Sequence, residues 1–149
     1  MGQQSGSVSR IGRGPGTASV STAPLRRFLS NAQTARHART YAREAVEAAV
    51  PGISEDSLAD VQLIVSELVT NAYRYGTEPG DRVGVSVDAQ PAGARVEVHD
   101  PARRRPRPKA LGQESERGRG LHVVREIADR WGIDDRPFGK AVWAELTWH

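Results

Sequence analysis

The spacing of apolar positions changes repeatedly along this chain, and each change marks an element. After Asn31, a candidate N-cap, residues Ala35, Ala38, Ala42, Ala45, Val46 and Ala49 recur at steps of three and four, which predicts a helix stopped by Pro51 and Gly52. An alanine stripe packs closely but buries little area, so this helix needs a larger surface beside it. A second helix supplies one, opening near Ser54 and running to Tyr75, with Leu58, Val61, Val65, Leu68 and Ala72 on one face and Gly76 as its stop. The period then falls to two. Val83, Val85 and Val87 alternate within Arg82 to Ala89, and Val96 and Val98 within Ala94 to His99, with Pro91-Ala92-Gly93 between them as the turn of an antiparallel hairpin.

From Asp100 to Arg117 the pattern dissolves into a Pro, Arg and Glu-rich segment, too long for an ordinary connection and suited to a lid or a disordered insert. Helical spacing returns at Gly118-Arg119-Gly120-Leu121, with Leu121, Val124, Ile127 and Ala128 inward, and strands from Trp131 to Asp134 and from Ala141 to Trp148 follow. Hairpin strands interrupted by helices predict a two-layer α/β sandwich. Its sheet is mixed and mostly antiparallel, covered on one face by three helices, and is not a doubly wound parallel sheet.

Composition narrows the classes. Residues 1–24 are Gly, Ser, Thr, Pro and Gln-rich with almost no large apolar side chain, which predicts a disordered tail ahead of a single domain over 25–149. The sequence has no cysteine, which excludes disulfides and thiolate metal sites. The formal charge of +3 is carried by the run Arg103, Arg104, Arg105, Arg107 and Lys109; it lacks interleaved aromatics, so direct nucleic-acid binding is not expected. No apolar run is long enough for a bilayer and the N-terminus has no apolar secretion core, so a soluble cytoplasmic protein without membrane contact is expected.

Three short constellations carry candidate chemistry. Glu67 and Asn71 lie four apart on the second helix and point the same way, as a pair framing a site or as part of a solvated face. Asp100 ends a strand where a side chain reaches a cavity, although an Asp before Pro is also a common turn former. Gly118, Arg119 and Gly120 open the third helix, where backbone amides suit a phosphate or the glycines serve as a hinge.

Taken in order, ELVTNA on a helix, an Asp at a strand end, a long loop and GRGL opening another helix resemble the GHKL ATP-binding superfamily of gyrase, histidine kinases and the heat-shock chaperone, and most closely its anti-sigma-factor serine/threonine kinase branch. The resemblance implies a Bergerat-type fold with ATP and Mg²⁺ between sheet and helices beneath a flexible lid. It assigns Glu67 to the catalytic carboxylate, Asn71 to Mg²⁺, and Asp100 to the adenine amino group. Gly118, Arg119, Gly120 and Leu121 are assigned to the phosphates. Two positions depart from the family pattern: Pro101-Ala102 follows Asp100 in place of a nearby glycine, and Ala141 stands where a threonine often supports the Asp.

Two functions of different class are then expected. One is a kinase that uses ATP and Mg²⁺ to phosphorylate a small anti-sigma-factor antagonist, binds a sigma factor, or does both. The other is a non-catalytic partner-switching module that sequesters a regulator with weak or no nucleotide binding. Both are compatible with a homodimer.

Overall fold

The computed structural model describes residues 8–10 by their backbone, and residues 21, 23–102 and 121–148 in full. Strands β1 (Val8–Arg10) and β2 (Arg26–Leu29) precede helices α1 (Thr34–Ala49) and α2 (Glu55–Asn71); α2 runs on through one wider turn, Ala72–Gly76. Then come β3 (Arg82–Gln90), β4 (Gly93–Asp100), helix α3 (121–127), β5 (Arg130–Arg136) and β6 (Gly139–Thr147). The strands form one six-stranded sheet in the order β1-β5-β6-β4-β3-β2, and every pairing is antiparallel. This is the α/β sandwich read from the sequence, with a sheet that is wholly rather than mostly antiparallel among the described residues. Most of the tail expected over 1–24 lies outside those residues; within it, Val8–Arg10 pair with β5.

The alanine stripe does what its size allows. Ala38, Ala42 and Val46 are fully buried, and α1 lies close enough to α2 for Gln62 Nε2 to donate to the Arg39 carbonyl at 3.2 Å and for Arg39 to reach Ser66 Oγ at 3.0 Å. Gln33, not Asn31, stands at the cap of α1; Asn31 acts one step earlier, its Oδ1 accepting from Gln33 N–H at 2.8 Å while Thr34 Oγ1 accepts from Asn31 N–H at 2.8 Å. Helix α2 begins as expected, with Ser54 Oγ accepting from Ser57 N–H at 3.1 Å and Glu55 and Asp56 placed favourably in the first turn. Its buried face is wider than the expected stripe, because Ile64 and Val69 join Leu58, Val61, Val65 and Leu68 where α2 meets both α1 and the sheet.

Alternation assigns the two sheet faces. Val83, Val85, Val87, Val96, Val98, Val142, Ala144 and Leu146 meet the three helices in one core. On the outer face, Ser86, Glu97, Trp143 and Gly132 form one cross-strand row, and Asp88, Arg95, Glu145 and Arg130 form the next. This second face is polar yet largely closed to water. Arg95 and Glu97 are only 7% and 6% exposed, and the Arg95 guanidinium lies 4.4 Å over the Trp143 ring.

Candidate functional site at the end of β4

The site is built where three elements end. The widened turn after Asn71 carries α2 past its regular register and sets Gly76 against the Asp100 carboxylate; a Cβ at position 76 would overlap Asp100 Cγ and Oδ2. Glycine here is required by close approach and not by backbone angle, and such widened turns recur at functional sites. Asp100 closes β4 on the helix side of the sheet, and Leu121 of α3 lines the same pocket.

Leu68, Asn71, Ala72, Val98, Asp100 and Leu121, with Lys140 and Val142 from β6, line one small pocket. Its free volume is about 10 Å³, the room of a single water. Asn71 Nδ2 is buried there without a hydrogen-bond partner. A buried amide nitrogen left unsatisfied is uncommon in a folded protein, and its oxygen and nitrogen can exchange places by rotation.

Asp100 accepts three hydrogen bonds. Lys140 Nζ donates to both carboxylate oxygens, at 3.0 and 2.9 Å, and Oδ1 also accepts from Ala102 N–H at 2.9 Å. The side chains are 2% exposed for Asp100 and 14% for Lys140, so the pair is nearly dry. The cross-strand register explains it: Asp100 faces Lys140, whereas His99 faces Ala141. Ala141, expected beside Asp100 in place of a threonine, therefore belongs to the other face of the sheet, and Lys140 holds the position that touches the aspartate. Sequence reasoning missed Lys140; the register of β6 against β4 was the signal needed, and a one-residue slip exchanges the faces.

The other residues assigned from sequence are placed as follows. Asn71, Asp100 and Leu121 share the pocket. Glu67 stands one helical turn before Asn71 on α2, half-buried and outside the pocket lining. Gly118, Arg119, Gly120 and the basic run 103–109 lie outside the described residues. Among the described residues no group of three or more His, Cys, Asp or Glu side chains is placed to hold a metal, and no helix is long and apolar enough to cross a membrane.

A larger cavity of about 480 Å³ lies at the same end of the sheet but mainly on its outer face, among Arg27, Gly84, Ser86, Glu97 and His99, and it reaches Asp100 and Lys140 at its edge. Here Glu97 Oε1 is 3.0 Å from His99 Nε2, and Oε2 accepts from Arg95 Nε at 2.7 Å. Burial pushes the Glu97 pKa up, but hydrogen bonds from His99 and Arg95 outweigh it and lower the value to about 2. The cavity lacks Asn71 and Leu121, so the assigned chemistry points to the smaller pocket on the helix side.

A family model, the histidine kinase-like ATPase domain, matches residues 28–146. No curated protein matches the chain.

Proposed function

Since the chain belongs to the histidine kinase-like ATPase domain family, we propose that it is an ATP-binding regulatory protein that works as a protein serine/threonine kinase on a small anti-sigma-factor antagonist, binds a sigma factor, or does both. The observation that carries this reading is the unpartnered Asn71 Nδ2, buried in one pocket with Asp100 and Leu121. Bound Mg²⁺-ATP would supply an electrophilic γ-phosphoryl group. The protein's part would be positional: Asp100 would accept from the adenine amino group, and Asn71 would offer its amide oxygen to Mg²⁺. Glu67, one turn from Asn71, would take the proton of a serine hydroxyl as its oxygen bonds to the γ-phosphorus and ADP leaves. The side chain is half-buried, with no hydrogen bond or ion pair to another described residue, so its carboxylate is available for that task.

The direct test titrates ATP into the protein with and without Mg²⁺ by calorimetry, then measures phosphoryl transfer to candidate antagonists. Asn71→Ala is expected to remove the Mg²⁺-dependent part of ATP affinity and leave metal-free binding near the parent value. The helix survives, because alanine is the strongest helix former. Unchanged Mg²⁺ dependence in Asn71→Ala counts against the assignment of Asn71.

One observation favours the second reading, a partner-switching module with weak nucleotide binding. The carboxylate assigned to adenine is already paired with Lys140, in a pocket with room for one water. Tight partner binding without ATP, and without transfer to any serine, would decide for that module.

A further inference from the structure

The geometry points to Lys140 as an internal competitor for the adenine subsite: its ammonium holds the Asp100 carboxylate, and a nucleotide must displace it to bind. The inference rests on the ATP-binding reading and adds a residue that sets affinity at that site. Both oxygens of Asp100 are donated to by Nζ, at 2.9 and 3.0 Å, and Oδ1 is further used by Ala102 N–H. Three of the roughly four acceptor positions of the carboxylate are thereby used, and the small pocket on the helix side has free room of only about 10 Å³. The rest of the pocket lining is Leu68, Ala72, Val98, Leu121 and Val142, which offer the base apolar contact, and Asn71.

Energetic order follows from charge. Both an ammonium and an adenine amino group make a charge-assisted bond to the carboxylate, but only the ammonium adds the attraction of a full opposite charge, which is strong in a nearly dry site. Exchanging the first for the second is unfavourable unless stacking and phosphate contacts compensate, so the ion pair lowers ATP affinity. The long stem of Lys140 supplies a second, steric component, since it lines the pocket that the base must enter.

Substitutions at adjacent positions separate this account from a general effect on the strand. Lys140→Thr removes the cation and its stem while leaving a hydroxyl that can still donate to Asp100. Ala141→Thr adds the same hydroxyl on the opposite face of β6, beside His99. Lys140→Arg keeps a cation within reach of Asp100. Calorimetric titration of Mg²⁺-ATP into the whole chain is expected to show about tenfold tighter binding for Lys140→Thr, as one charge-assisted bond no longer has to be broken. Ala141→Thr should bind like the parent, Lys140→Arg should show no gain, and Asp100→Asn/Lys140→Thr should lose the gain.

In the parent protein, carbon resonances of the Asp100 carboxyl and the Lys140 side chain should shift together as ATP is added. This measurement needs no variant and covers the case in which Lys140→Thr does not fold. Unchanged or weaker ATP binding by folded Lys140→Thr overturns the competitor role, as does saturation of the parent with ATP while the Lys140 resonance stays in place. If neither the parent nor any variant binds ATP, the ATP-binding reading itself falls and the competitor role with it. ATP binding by the parent with no gain in Lys140→Thr removes the competitor role alone.

Discussion

Replacing Arg95 by Met is expected to destabilise the protein by about 3 kcal/mol, a large fraction of the total stability of a domain this size. Arg95 donates to Glu97 Oε2 through Nε and to Glu145 Oε2 through a terminal nitrogen, both at 2.7 Å, and its guanidinium lies over Trp143. Methionine fills much of the volume over the ring but supplies no charge, leaving Glu97 buried with only His99 and a more distant Arg136 at 3.9 Å. An uncompensated buried carboxylate is among the few single defects able to produce an effect of this size. Glu145 suffers less, because Arg130 still donates to its Oε1 at 2.8 Å. Urea unfolding read by tryptophan fluorescence checks the magnitude, and Arg43→Ala, at an exposed pair with Glu55, serves as a control with little expected change.

The pH dependence of that difference is also fixed in sign. Glu97 titrates at about 2 in the folded protein against an ordinary value of 4.5, so its contribution is fully present above about 4.5 and is lost as pH falls towards 2. Glu145 is lowered too, with burial opposing and hydrogen bonds from Arg130 and Arg95 prevailing, so it acts in the same direction. Without Arg95 the burial of Glu97 is less well opposed and its folded pKa rises. The stability gap between the parent and Arg95→Met should therefore narrow as the solution is acidified below 4.5. A gap that widens on acidification would show that Arg95 acts through packing on Trp143 and not through Glu97.

That network shows where sequence reading stops and why. The valines of β3 and β4 reveal their strands because a half-buried strand alternates, and the residues between them then read as solvent-facing. Here those intervening residues include Arg95 and Glu97, which are buried with their charges matched across strands, and pairing of that kind depends on register and not on local pattern. The same limit hid Lys140. Helix α2 was legible because Leu58, Val61, Val65 and Leu68 repeat at helical spacing, whereas its widened end at Ala72–Gly76 meets Asp100 from a distant strand, a contact that local spacing does not carry. Strand β2, only Arg26–Leu29, has two arginines in four residues and no alternation; its pairing with β3 comes from the sheet edge it completes. Asn71 and Asp100 were legible as a motif, and their convergence on one pocket follows from the fold.

The largest expected effect on function belongs to Glu67→Gln. Glutamine keeps the size and helix compatibility of the side chain but cannot accept a proton from an attacking hydroxyl, so on the proposed kinase reading phosphoryl transfer should fall by roughly a hundredfold or more. Affinity for ATP should change little, because Glu67 lies outside the pocket that holds Asn71 and Asp100, and the proton-accepting role is exercised in the transition state rather than in the bound ground state. The comparison therefore requires two measurements on the same preparations: calorimetric ATP binding with Mg²⁺, and transfer of labelled phosphate to a serine on a cognate antagonist. A loss of transfer with preserved binding assigns Glu67 to the chemical step. Equal loss of both means that Glu67 supports the nucleotide or the helix instead. If the parent binds its regulatory partner but transfers no phosphate, and Glu67→Gln alters neither partner nor nucleotide affinity, Glu67 has no catalytic task and the protein acts by sequestering that partner.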